Sequence, residues 1–232
     1  AEIKEISKRA KCLVLVSATH THSGPKGFGD YPAVPKEQRF NVERTMDKIL
    51  NCYRKSQRKL AEEEKFEIYF GQSEVKNVSA SRLDPKAEID KYLRTLAVYR
   101  KDKKEGELLG SISNYACHPT VLGFENLMYS GDLFGEAARR SEEFFSDGIC
   151  LLTNGAEGDI STRFVREEQT FAEVSRLAGI LSKNIRESIE SSQPIDSSTL
   201  GHNIISFDLP LKDSPGVEEI ERKIERERSK LE

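Results

Sequence analysis

Short apolar runs alternate along this chain with longer stretches in which hydrophobic residues recur every three or four positions, and that alternation predicts an α/β fold. Cys12–Ala18 (CLVLVSA) is continuous, rich in β-branched residues and short, as a buried strand would be. Beyond a Gly/Pro-rich segment from Gly24 to Pro35, Val42, Met46, Ile49 and Tyr53 follow helical spacing and predict an amphipathic helix to about Glu64. Phe66–Gly71 reads as a second strand. Leu93–Tyr99 and Leu108–Cys117 bracket the charged turn Lys101–Gly106 and predict an antiparallel hairpin. Leu133–Phe145 carries apolar positions at helical spacing, and Gly148–Thr153 is another short strand leading into the loop Asn154–Asp159. Phe171, Val174, Ala178, Leu181, Ile185 and Ile189 mark a further amphipathic helix. Ser191–Ser198 is a polar break, Ile204–Leu211 a last strand, and a charged helix follows Pro215. The predicted architecture is a mixed β-sheet with helices packed on its faces, in one domain over residues 1–232.

Composition narrows the functions open to such a fold. The 232 residues hold 36 Lys plus Arg against 39 Asp plus Glu, so no broad basic surface is implied and nucleic acid is not the expected partner. No apolar stretch approaches the ~20 residues of a membrane-spanning helix. No signal-peptide pattern is visible, although the chain opens on Ala1 and its natural N-terminus is expected to lie upstream. Cys12, Cys52, Cys117 and Cys150 lack CxxC spacing, which suits buried free thiols better than a disulfide framework. Localisation and oligomeric state are not encoded legibly.

The candidate chemistry gathers where strands run out into loops. His20 and His22 in Ser17-Ala18-Thr19-His20-Thr21-His22-Ser23-Gly24-Pro25 stand two residues apart and face one side if the backbone is extended. His118, in Cys117-His118-Pro119, arrives at the end of another strand, whereas His202 stands apart as an ordinary packing or surface residue. A lone HxH is a weak metal signal, and a third histidine strengthens it. A catalytic zinc with an open coordination position brings the pKa of water to about 7 and polarises a carbonyl, which suits amide or ester hydrolysis. Asp132 and Asp159 are the carboxylates in position to complete such a site, and each also precedes a turn or helix that it could cap.

Taken in order, SATHTHSGP, NVSASR, YACHPT, SGDLFGEA and NGAEGDIS resemble the neutral/alkaline, non-lysosomal ceramidase family over roughly residues 11–165. The resemblance implies a zinc-dependent amidohydrolase that cleaves the N-acyl bond of ceramide or a related N-acylated lipid. It implies His20 and His118 as zinc ligands, His22 as a contact to substrate or the reacting oxygen, and Arg82 as a contact to the substrate head group. Ser161 falls on the serine of the family's GDxS motif, for which a nucleophilic role is implied, with Asp159 beside it. No activating base stands near Ser161 in sequence, so metal-activated water is the simpler nucleophile.

Departures from the family accompany these matches. The family completes its zinc site with a glutamate and a tyrosine well beyond GDxS, and it has a strand-containing region ahead of THTHSGP. Neither is in this chain, which is expected to be an internal piece or a truncated homologue. Ser81-Arg82-Leu83-Asp84-Pro85 also departs from the family's Asn-Arg-Ser-Pro. The alternative reading is a non-catalytic ceramidase-like domain with an incomplete metal site. A metal-independent serine hydrolase is a distant third, because no GxSxG elbow is present.

Overall fold

A computed structural model describes residues 15–25, 42–60, 65–101, 107–145, 148–196, 201, 203, 205–210 and 215–230. The chain divides into two compact units, Ala1–Ser197 and Ser198–Glu232. In the first unit the elements run α1 (Val42–Leu60), β1 (Phe66–Glu74), β2 (Ala80–Ser81), β3 (Tyr92–Arg100), β4 (Leu108–Tyr115), α2 (Asp132–Glu142), β5 (Ile149–Asn154), β6 (Ile160–Ser161), α3 (Phe171–Glu190) and β7 (Gln193–Pro194). The described part of the second unit has one helix, α4 (Val217–Arg228), whose side chains are all exposed.

Five strands form a mixed sheet in the order β5-β4-β3-β1-β7, and β2 pairs with β6 in a separate two-stranded ribbon. β1, β3 and β4 are antiparallel neighbours, with Phe70 opposite Leu96 and Leu96 opposite Ile112. β4 and β5 run parallel and are connected through α2, as a parallel pair requires a crossover. This is the mixed α/β sheet that the alternation of apolar runs and helical stripes predicts.

Strand periodicity divides the sheet into two unlike faces. Leu93, Thr95 and Ala97 of β3 point to the buried side, where Leu133, Phe134 and Ala137 of α2 and Leu177, Leu181 and Ile185 of α3 complete the core. Gly71 lets α3 approach: a Cβ there would lie 1.7 Å from the carbonyl oxygen of Ser188. A buried chain of hydroxyls crosses the same seam, Thr95 Oγ1 lying 2.6 Å from Ser188 Oγ and 2.8 Å from Ser113 Oγ. The opposite face carries the row Phe70, Leu96, Ile112 and Leu151, each on a different strand and each partly exposed. α2 and α3 thus cover one face, and Ser56 and Gln57 of α1 border a cleft of about 620 Å³ on the other.

Several boundaries differ from those the sequence predicts. β4 stops at Tyr115, and His118 instead forms an isolated parallel bridge to Ser161. Leu15–Ala18 is exposed and lies in no strand, while Cys12–Val14 falls outside the described residues. Residues 205–210 are likewise exposed and unpaired among the described residues, with Ile204 and Leu211 outside them. An apolar β-branched run records a preference for extended backbone, but a strand also needs an edge to pair with, and that edge is not local information. Ala61–Glu64, at the end of the predicted first helix, falls outside the described residues, as do His202 and Cys12. Of the other cysteines, Cys117 and Cys150 are buried free thiols as expected and Cys52 is exposed.

Candidate metal centre

The three motif histidines converge. His20, His22 and His118 each offer a ring nitrogen within 4.8 Å of the others. His20 Nε2 and His22 Nε2 are 3.3 Å apart. That spacing is close to the edge of a tetrahedron whose corners lie ~2.0–2.1 Å from a central zinc. The His20 and His118 rings meet edge to face with centroids 4.9 Å apart.

The turn that carries His20 and His22 is fastened on both sides. Thr21 Oγ1 donates to the Ser130 carbonyl at 2.8 Å, Ser130 N–H donates to the Ser23 carbonyl at 3.0 Å, and Asn126 Nδ2 donates to Ser23 Oγ at 3.0 Å. From the end of β5, Asn154 Nδ2 reaches the carbonyls of Thr19 at 3.1 Å and Cys117 at 3.0 Å. One amide therefore ties the histidine turn to the segment that carries His118. His20 itself adopts φ 66°, in the left-handed region that non-glycine residues seldom occupy. Such strain persists where neighbouring contacts over-determine the backbone, and here they fasten both flanks.

His118 is placed by pairing between the two sheets. Its N–H donates to the Ile160 carbonyl at 2.9 Å, beside the bridge to Ser161. Its Nδ1 lies 2.7 Å from the Glu157 carbonyl oxygen and must donate there, which leaves Nε2 with a lone pair. Arg82 Nη1 points at that nitrogen from 3.1 Å. Arg82 follows β2, and its own N–H donates to the Asp159 carbonyl at 2.7 Å.

The carboxylate nearest the imidazoles among the described residues is Glu157, which is not among the predicted site residues. Glu157 Oε1 is 3.7 Å from His20 Nδ1, and Oε2 accepts from Asn154 Nδ2. Asp159, the predicted neighbour, is exposed and meets Arg82 through its carbonyl. Asp132 is buried at φ 50°, and its carboxylate accepts from the N–H groups of Val121 at 3.1 Å, Leu122 at 3.0 Å and Leu133. It therefore anchors the loop that follows His118 onto α2. Gly131 holds the N-cap position and Asp132 is the first residue of α2, so Asp132 is not the helix cap the sequence also allowed.

Ser161 is buried, and its Oγ accepts from the Arg163 N–H at 3.2 Å. No imidazole or carboxylate lies within hydrogen-bond distance of that hydroxyl among the described residues. Burial, followed by the neighbouring His20 and His118, lowers the pKa of His22, with Asp132 and Glu157 opposing the shift. His22 is therefore held neutral near pH 7. Beside the histidines opens a cleft of about 730 Å³ whose walls include His22, Arg82, His118, Ser161, Arg163 and Leu127.

An α/β sheet with three imidazoles converging at its loop end and a cleft beside them is a candidate metal-dependent enzyme scaffold. Residues 9–161 match the model of the neutral/alkaline non-lysosomal ceramidase N-terminal domain, and the chain belongs to that family. Two solved structures resemble it: a ceramidase described as complexed with C2, and the neutral ceramidase from Pseudomonas aeruginosa. Each is 19% identical, with TM-scores of 0.48 and 0.47, and each match covers 55% of this chain and 23% of the other. The chain thus spans about a quarter of the length of those proteins. No described helix is long and apolar enough to cross a membrane.

Proposed function

We propose that this chain carries the zinc-binding half of an amidohydrolase centre that cleaves the N-acyl bond of ceramide or a related N-acylated lipid. The observation that carries this reading is the shared backing of His20 and His118 by Glu157. Metal-ligating histidines ordinarily engage a carboxylate or carbonyl through their second nitrogen. Among the three, His118 Nδ1 donates to the Glu157 carbonyl at 2.7 Å and the Glu157 carboxylate stands 3.7 Å from His20 Nδ1, whereas the ring of His22 has neither neighbour among the described residues. His20 and His118 are accordingly the proposed ligands, with His22 left for substrate.

The donor set fits zinc in kind, being imidazole nitrogens gathered within 4.8 Å of one another. Zinc bound there supplies Lewis acidity, polarising an amide carbonyl and acidifying water. The chain's own residues supply the rest. Neutral His22 can accept a proton at Nε2 from the attacking water and pass it toward the leaving amine. Arg82 reaches His118 Nε2 in this structure and turns to the substrate head group when that nitrogen is engaged. Ser161, buried in the cleft wall without a base, orients substrate through its hydroxyl.

Zinc content and hydrolysis of a fluorogenic N-acyl sphingosine test this together. His20→Ala and His118→Ala should each weaken zinc binding at least roughly tenfold. His22→Ala should retain zinc within about threefold while losing at least about a hundredfold in turnover, the range for a removed general acid–base. A native protein that takes up no zinc would end the proposal. One that binds zinc and hydrolyses no N-acyl amide would leave the non-catalytic reading in its place.

A further inference from the structure

The cleft is lined by three arginines, Arg82, Arg163 and Arg166, and by no carboxylate among the described residues. Several arginines elsewhere in this unit meet acids, Arg94 with Asp90, Arg139 and Arg140 with Glu136, Arg176 with Glu173 and Arg186 with Glu190, whereas Arg54 and Arg58 of α1 meet Asn51 and a main-chain carbonyl. At the cleft, Arg166 Nη1 donates instead to the Thr120 carbonyl at 2.7 Å and Arg82 to His118. Arg163 is exposed and forms no side-chain hydrogen bond or ion pair among the described residues. Three positive charges therefore line one concavity without a counter-ion among the described residues, an arrangement that concentrates anions.

The lip is of the opposite character. Phe124 is 94% exposed and Leu127 95%, and both line the cleft with Met128. A ligand complementary to both is an amphiphile with an acyl chain for the lip and an anion for the arginines. Guanidinium favours a carboxylate through paired N–H donors. A neutral head group would leave Arg163 unmatched.

We infer that the cleft takes an N-acylated amino acid, with the carboxylate of the head group bound by Arg163. This rests on the N-acyl amide reading above, and of its two branches it selects the related N-acylated lipids, those carrying an acid on the amine side of the scissile bond, over ceramide. Binding to the full chain is measured by calorimetry for N-dodecanoylglycine, its methyl ester and dodecanoate. The acid should bind roughly tenfold more tightly than the ester, the scale of a charge-assisted contact. Arg163→Gln should abolish that preference, and Arg163→Glu should reverse it. Because the Arg163 side chain is exposed and forms no hydrogen bond or ion pair among the described residues, circular dichroism of both variants should match the parent.

Equal affinity for acid and ester, no binding of either, or a preference that survives in Arg163→Gln would overturn the assignment. So would dodecanoate binding as tightly as dodecanoylglycine with the same dependence on Arg163, since the carboxylate recognised would then be that of a released fatty acid. None of these measurements requires turnover. A protein that distinguishes acid from ester yet hydrolyses nothing loses the hydrolase reading and keeps the carboxylate site.

Discussion

His118 Nδ1 sits 2.7 Å from the carbonyl oxygen of Glu157, while the carboxylate of the same glutamate stands 3.7 Å from His20 Nδ1. One residue thus fixes the tautomer of one imidazole through its main chain and biases the other through its charge. Glu157→Gln keeps the main-chain contact and removes the charge, so zinc affinity should fall roughly tenfold, the lower end of the range for outer-shell partners of a metal ligand. Competition against a fluorescent zinc chelator reads this directly. An affinity equal to that of the parent would remove Glu157 from the centre.

Asp132 should matter more to stability than to chemistry. Its buried carboxylate accepts from three main-chain N–H groups, those of Val121, Leu122 and Leu133. Asp132→Ala orphans these donors and should cost about 3 kcal/mol, and Asp132→Asn, which keeps one acceptor, should cost about half of that. Urea denaturation of both variants tests the order. Equal losses would mean that the side-chain volume, and not its acceptors, is what the loop requires.

Acid should loosen α2. Hydrogen bonds from Arg139, then from Arg140, hold the Glu136 carboxyl down at about 2, below its ordinary 4.5. Since the folded value lies below the unfolded one, the stabilisation is fully present above the ordinary value and is lost as pH falls toward 2. The group is partly exposed, so the effect is about 1 kcal/mol after screening. Glu136→Gln should flatten the stability profile between pH 5 and roughly 2 relative to the parent. Parallel profiles for the two proteins would contradict this.

The thiols should separate by reactivity. Burial, reinforced by Asp132, raises the Cys117 thiol far above its ordinary range, and burial also raises that of Cys150. Cys52 is exposed on α1. Peptide mapping after brief treatment with iodoacetamide at pH 8 should find Cys52 labelled and Cys117 and Cys150 untouched until denaturant is added. Rapid labelling of Cys117 in the native protein would show that the segment before His118 opens readily.

What could be read from residue order was whatever depends on local periodicity and on motifs at element ends. The hairpin of β3 and β4, the stripe of α3 and the gathering of His20, His22 and His118 all belong to that class. Glu157 is not legible in residue order because its action on His118 is through a carbonyl, which every residue possesses, and no side-chain pattern marks it. Asn154 was equally hidden, since a single amide bridging Thr19 and Cys117 leaves no periodic trace. Asp132 and Asp159 drew attention as carboxylates beside glycines, but the backbone turned one toward loop N–H groups and the other toward solvent. Leu15–Ala18 and residues 205–210 have strand composition, and composition cannot supply the neighbouring edge.

His20 and His118 stand about a hundred residues apart in the chain, and between them lie α1, three strands of the main sheet and half of the small ribbon. An ion gripping both would close that whole loop with a single fastening. Such a fastening restricts the unfolded chain most when the loop is long, so zinc should act as a rivet as well as a reagent. The protein would then melt at a temperature that climbs with zinc concentration, and a chelator would loosen the histidine turn before it touched the core beneath α3.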